Sequence, residues 1–202
     1  PVGVITKNHL ITRDIDVLAE MARLNLVSTT ISITSLRPEL IGVMEPRTSR
    51  PAARLEAVRK LAEAGIPVGV NVAPVIPGLT DEEIPAILKA AAEAGATRAN
   101  YIVVRLPGPV QPLFLEWLER TFPERKQKVV NRLTELRGGR LNDPRFKSRM
   151  RGEGEWADTI SKLFKTACRR YGLNQKERTP LSTEHFRVPA RRREDGQLGL
   201  FG

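Results

Sequence analysis

The chain has 202 residues, 41% hydrophobic and 28% charged, with a formal net charge of +10 and a single cysteine. That is enough apolar side chain to bury a core of ordinary size, so one domain with appendages is expected rather than a disordered chain. One cysteine excludes an internal disulfide and, by itself, a structural zinc site or an iron-sulfur cluster; with no apolar run of about 18 residues and no export leader in the sequence, a cytoplasmic location is expected.

Taken from the start, the chain opens with Pro1 directly inside the strand-like run VGVIT (2 to 6) and is therefore expected to be a fragment or a processed product. A helical pattern follows, with Thr12 as its cap, Ile15, Leu18, Ala19 and Ala22 on one face, and Asp14 and Asp16 at its positive end. The second β-rich run is VSTTISITS (27 to 35). Ser49 and Pro51 open a second helix striped by Leu55, Val58, Leu61 and Ala62 and stopped by Gly65. The third run, IPVGVNVAPVI (66 to 76), ends at Pro77-Gly78, after which Thr80 and Glu83 have the spacing of a capping box for a helix ending at Gly95. The fourth run is TRANYIVVRL (97 to 106). The helix ends LAEAGI (61 to 66) and AAEAGA (91 to 96) match at an offset of 30, the period of a βα unit. Strand, helix, glycine and strand in this order predict parallel strands with right-handed crossovers.

The strand faces carry the functional signal. Side chains alternate along a strand, so Ser28, Thr30, Ser32 and Thr34 are expected on one side, and Gly69, Asn71 and Ala73 share a face opposite Val68, Val70 and Val72. A parallel strand buried on both faces is nearly all apolar. Small and polar residues on the inner side leave room and hydrogen-bonding capacity for a ligand; the plainer reading is that these hydroxyls bond backbone or buried water. Ligands of such folds sit beyond the C-terminal strand ends. There stand Lys7, the segment Leu36 to Ser49 with Glu45 and Arg47, the turn Val75 to Leu79, and Arg105-Leu-Pro-Gly-Pro.

Charge separates the halves. Residues 1 to 108 hold 12 Lys and Arg against 11 Asp and Glu, and residues 109 to 202 hold 21 against 12. Arg120 to Arg151 is densest, with eleven basic residues and three acidic ones. Such a field attracts polyanions, and Arg125, Lys126, Lys128, Arg132, Arg137 and Arg140 are the candidate nucleic-acid contacts. A solvated basic face, or contact with an acidic neighbour, accounts for the composition equally well. Neither a P-loop nor a dinucleotide-binding glycine motif occurs. His9, His185, Trp117 and Trp156 read as surface, capping or core residues, RGEGEW (151 to 156) as an acidic turn at the mouth of the site, and Cys168 as a buried structural thiol. Leu198, Leu200 and Phe201 in the tail suit a hydrophobic groove.

The stretches ITK (5 to 7), ISITS (31 to 35) and MEPRTSRPAARLEAVRKLAEAGIPVGVNVAPVIPGLTD (44 to 81) resemble, in this order, the latter part of a radical S-adenosylmethionine (SAM) domain in the branch related to spore photoproduct lyase. MRGEGEWADTISKLFKTACRRYGL (150 to 173) also resembles the C-terminal region of bacterial members of that branch. The resemblance implies an α/β fold, a partial parallel (β/α)6-type barrel with its last four strands present (1 to 108), followed by a basic helical region (109 to 175) and a mobile tail (176 to 202). It implies a [4Fe-4S] cluster and SAM, whose reductive cleavage yields a 5'-deoxyadenosyl radical, and an electron donor such as flavodoxin or ferredoxin. Carried across, Lys7 and Ser32 resemble holders of the SAM carboxylate and ribose, and Val75, Ile76 and Pro77 resemble the backbone edge beside adenine. Arg54 either reaches SAM or pairs with Glu45, and Asn71 faces the lumen. The family's CxxxCxxC cluster motif does not occur in this sequence. The intact protein is accordingly expected to carry it in an N-terminal portion, and this chain alone to be inactive. The contrasting expectation is a non-catalytic α/β module that binds an anionic ligand or nucleic acid through residues 120 to 151.

Overall fold

The computed structural model describes residues 1–146, 148–177 and 179–187. The β-branched runs form four strands, β1 (Val2–Thr6), β2 (Val27–Ser32), β3 (Val68–Val75) and β4 (Arg98–Val103), all parallel and in sheet order β1-β2-β3-β4. The crossovers are α1 (Ile15–Arg23), α2 (Pro38–Met44) with α3 (Pro51–Glu63), and α4 (Ile84–Glu93). Register places Ser32 opposite Asn71 and Asn71 opposite Asn100. The β3–β4 ladder skips from Val72 to Val75, where Pro74 has no N–H to give. This is the partial parallel α/β barrel that the sequence predicts; β1 spans its predicted run, and β2, β3 and β4 are three or four residues shorter than theirs.

Two caps differ from expectation. Before α1 the chain makes a 3-10 helix (His9–Asp14) capped by Asn8, whose Oδ1 accepts the Leu10 N–H at 2.9 Å. Thr12 caps nothing; its hydroxyl donates to the His9 carbonyl at 3.0 Å. Thr80 and Glu83 do not form a capping box. The Thr80 hydroxyl accepts the Ile76 N–H at 2.8 Å, and the Glu83 carboxylate crosses to the loop after β2. Pro51 does open α3, at its first position, while Ser49 Oγ accepts the His9 N–H at 2.8 Å. Gly65 and Gly95 end their helices at φ +73° and +97°, a conformation that L side chains resist.

One face of the sheet is covered by helices. Ile31, Val70 and Val72 are buried there with Val58, Leu61, Ile87 and Leu88. The second half adds α5 (Val110–Thr121), α6 (Pro123–Leu136), α7 (Ser148–Arg151) and α8 (Glu155–Arg170). These join the same core through Leu118, Val129, Leu133, Ile160 and Phe164. Trp117 packs with Phe114 and Phe122, and its Nε1 donates to the Val43 carbonyl at 3.2 Å. After α8 the chain returns to the N-terminal strand ends. Asn174, at φ +61°, accepts the Ala99 N–H with Oδ1 and donates to the Ala99 carbonyl with Nδ2, each at 2.9 Å. Among the described residues no helix is long and apolar enough to cross a membrane. The tail leucines and Phe201 lie outside the described residues.

Candidate functional site

The other face of the sheet is concave and mixes polar with apolar side chains. Ser28 and Thr30 of β2, Gly69 and Asn71 of β3, and Arg98 and Asn100 of β4 line a concavity of about 520 Å³, as strand alternation predicts. Asn71 is only 7% exposed, and its Oδ1 is buried without a hydrogen-bond partner among the described residues. A buried acceptor left unmade costs about 1–3 kcal/mol, so a ligand donor is its natural complement.

The row of hydroxyls does not stay on that face throughout. Ser32 is buried, and Thr34, past the end of β2, turns toward Glu45 and the Ala73 carbonyl, 2.8 Å from each. Lys7 also stands away from the concavity: its ammonium pairs with Glu45 and approaches Thr34 Oγ1 at 3.3 Å. Of Lys7, Ser32 and Asn71, expected to converge, only Asn71 lines the concavity, with Ser32 beside it in register.

Behind the strand ends lies a buried ionic cluster. Arg54 is fully buried; its Nε donates to the Ser49 carbonyl at 2.8 Å, Nη1 to the Ser32 carbonyl at 3.0 Å, and Nη2 to Glu45 Oε2 at 2.6 Å and to Thr48 Oγ1. Of its two candidate roles it takes the pairing with Glu45, because the fork of donors is spent on these groups. Burial pushes the Glu45 carboxyl up, but hydrogen bonds from Lys7, Arg54 and Thr34 outweigh it and hold the group below its ordinary value.

The turn after β3 is fixed from within. The Val75 carbonyl accepts the Val104 N–H at 2.9 Å, and the Ile76 carbonyl accepts Leu79 and Thr80 N–H groups at 3.0 and 2.9 Å. Val75, Ile76 and Pro77 are all buried, and the Ile76 amide and the Val75 and Ile76 carbonyls already have partners inside the fold, so the main-chain edge expected beside adenine is spent within the core. Glu83, which sequence reasoning missed as a support, holds this turn to its neighbour. It accepts from Ser35 Oγ (2.7 Å), Leu36 N (2.8 Å) and Arg37 Nε (2.9 Å), while Arg37 Nη2 donates to the Leu79 carbonyl at 2.7 Å. An acidic residue opening a helix carries no sequence mark of a contact 46 to 48 residues away.

The basic region divides. Arg137 is 3% exposed and donates to the Val104, Ser148 and Arg149 carbonyls, so it is a structural tie and not a surface contact for nucleic acid. It follows the buried stripe Val129, Leu133 and Leu136 of α6, which turns it inward. Burial lowers its pKa, Asp143 opposes that, and Arg105 adds to it. Lys126 pairs with Glu119, and Arg132 pairs with Asp81 at 3.1 Å with its guanidinium 3.8 Å above the Trp156 ring. Arg125, Lys128 and Arg140 make no ion pair among the described residues. Glu153 of the RGEGEW turn pairs with Arg145 at 3.2 Å.

No three cysteines gather anywhere in the sequence, and no cluster of His, Cys, Asp and Glu fit for a metal occurs among the described residues. Cys168 is buried on α8, and that burial pushes its thiol up to about 11. An iron-sulfur cluster therefore does not fit the residues of this chain. A cation, a hydroxyl and an unpartnered amide do stand at or near the C-terminal ends of adjacent strands, with the cation already paired to Glu45.

Comparisons with known proteins bear on the whole arrangement. An uncharacterised protein of Mycobacterium tuberculosis strain H37Rv is 36% identical over 154 residues, which cover 75% of this chain and 44% of that protein. An uncharacterised protein of Acidianus two-tailed virus is 31% identical over 153 residues, covering 73% of this chain and 48% of its own length. The chain thus spans about half the length of the curated relatives it matches. Among solved structures, spore photoproduct lyase complexed with dinucleoside spore photoproduct superposes with a TM-score of 0.54 at 19% identity, over 85% of this chain and 49% of that one. A point mutant of that lyase gives the same TM-score at 21% identity. At such identity the likeness speaks for the fold. Residues 1–91, just under half of the chain, match the model of the radical SAM superfamily, and the parallel sheet order and the sequence motifs agree with that match.

Proposed function

We propose that this chain is the SAM-binding part of a radical SAM iron-sulfur enzyme that works in the cytoplasm and acts on nucleic acid. The observation that carries the reading is the family match over residues 1–91, supported by candidate SAM contacts at the strand ends. On one-electron reduction SAM supplies a 5'-deoxyadenosyl radical. Lys7 is the group for the SAM carboxylate, which takes the place of Glu45 as its partner, and Ser32, at the end of the neighbouring strand, serves the ribose. Arg54 acts from behind, by fixing the Ser32 carbonyl and Glu45. The ligands of the [4Fe-4S] cluster belong to residues outside this chain, and the electron comes from a donor such as flavodoxin or ferredoxin.

Two measurements test the reading. The 202-residue chain is titrated with SAM by calorimetry, with Lys7→Ala expected to weaken binding about tenfold or more, the worth of one charge-assisted hydrogen bond. The intact protein, purified without oxygen, is assayed for visible cluster absorption and reductive cleavage of SAM; absence of both ends the proposal.

A second reading is a non-catalytic module that binds nucleic acid through its basic half. Arg125, Lys128 and Arg140 favour it, being free of acidic partners among the described residues. It requires oligonucleotide affinity that falls steeply with salt, and a flat response counts against it.

A further inference from the structure

The concavity has a floor that the SAM reading does not use. Arg98, the first residue of β4, and Lys176, beyond α8, line its N-terminal end. Neither makes an ion pair or a side-chain hydrogen bond among the described residues, and no carboxylate lines the wall. An unpaired cation on a concave wall attracts anions, and two of them on one floor favour a dianion. Ser28 and Thr30 face the same space with hydroxyls that have no protein partner among the described residues, whereas Thr29, on the opposite side of β2, spends its hydroxyl on the Pro67 carbonyl at 2.9 Å. Gly3 and Gly69, paired in register with Ser28 and Thr30, flank these hydroxyls without side chains of their own.

Lys176 is held in place. Asn174 donates its N–H to the Thr97 carbonyl at 3.0 Å, besides gripping Ala99 with its side chain, and Asn25 Nδ2 donates to the Pro180 carbonyl at 2.9 Å. The segment carrying Lys176 is thus pinned beside β4 on one side and just before β2 on the other. Above this floor stands the unpartnered Oδ1 of Asn71. Arg98 pairs in register with Gly69, two residues before Asn71, so Arg98 and Asn71 are diagonal neighbours on adjacent strands, their backbone positions about 7–8 Å apart.

We propose that this concavity is a second binding site, one for a small phosphate monoester. The phosphate lies between Arg98 and Lys176, where the hydroxyls of Ser28 and Thr30 donate to its oxygens, and an O–H or N–H of the same ligand donates to Asn71 Oδ1. The site lies toward the N-terminal ends of the strands, away from Lys7, and stands whether or not the radical SAM reading does.

The test is calorimetry on the 202-residue chain at low salt with ribose 5-phosphate, inorganic phosphate and succinate. Ribose 5-phosphate is expected to bind more tightly than inorganic phosphate, and succinate least. Arg98→Gln is expected to weaken ribose 5-phosphate about tenfold or more, as loss of a charged donor does. Asn71→Leu is expected to remove the advantage of ribose 5-phosphate over inorganic phosphate while leaving the latter unchanged. Arg59→Gln, on the outer helical face, is the control. Circular dichroism checks folding, and if Arg98→Gln does not fold, Arg98→Lys, which keeps the charge but loses the fork, replaces it with a smaller loss expected. The proposal is overturned by no heat with ribose 5-phosphate, by affinity unchanged in the Arg98 variant, by equal loss in Arg59→Gln, or by succinate binding as well as the sugar phosphate.

Discussion

Arg54 Nη2 lies 2.6 Å from Glu45 Oε2, with the arginine fully buried and the carboxylate side chain 10% exposed. The pair joins the first turn of α3 to the end of α2, and through the Ser32 carbonyl it reaches the sheet. Removing one member leaves a charge buried without compensation, which costs about 3–5 kcal/mol, whereas replacing both with apolar groups costs far less. Arg54→Met and Glu45→Gln are each expected to lower the urea midpoint strongly, and the double Met variant to recover much of the loss.

The same carboxylate sets a pH response. Its pKa is lower in the folded chain than in the unfolded one, so its contribution to stability is full above the ordinary carboxylate value and is lost as pH falls through the folded value. Unfolding by urea between about pH 5 and pH 2 is expected to show this loss, within the range over which paired carboxylates titrate. Glu45→Gln should be less stable at neutral pH and should show a shallower acid slope; an unchanged slope contradicts the assignment.

Cys168 responds at the other end of the scale. Burial raises its thiol to about 11, so the neutral form favours folding, and this contribution fades as pH rises through that value. The thiol is expected to resist alkylation by iodoacetamide at neutral pH in the native chain and to react at once in denaturant.

The two matched helix ends differ in cost. A Cβ at Gly65 meets nothing within 4 Å, whereas one at Gly95 falls 2.6 Å from the Ala62 Cβ. Gly65→Ala is expected to cost about 1–2 kcal/mol from the left-handed backbone alone, and Gly95→Ala to add about 1–3 kcal/mol of overpacking. Thermal unfolding of the two variants side by side measures the difference.

Lys128 on α6 and Arg137 just after it are both cations, with opposite expected effects. Arg137→Gln should destabilise the fold, since three main-chain carbonyls depend on its guanidinium. Lys128→Gln should leave stability within about 0.5 kcal/mol and, if the helix meets nucleic acid, should reduce the salt dependence of binding by about one unit.

These contrasts show what the sequence could carry. Parallel order followed from strand and helix alternation, and the inward face of β3 from period two, because both are local rules acting on consecutive residues. Arg54 and Glu45 were visible as a pair because they are nine residues apart in a polar stretch. The Glu83 contacts to Ser35 and Leu36 were not, since Thr80 and Glu83 fit a local motif whose groups found stronger partners 4 and 48 residues away. Lys7 illustrates the same limit: its place at the strand end was legible, but its turn toward Glu45 depends on a loop 38 residues downstream. The burial of Arg137 follows only from where α6 packs, which composition does not encode.

The grip of Asn174 on Ala99 has a consequence for solution behaviour. β4 ends the sheet, and a bare rim there is a template on which a foreign chain can add another strand. By supplying one donor and one acceptor where that intruder's backbone would bind, the amide stands in for a neighbouring strand and stops the sheet from growing at that rung. A single side chain thereby closes one rung of the β4 edge to edge-on self-association.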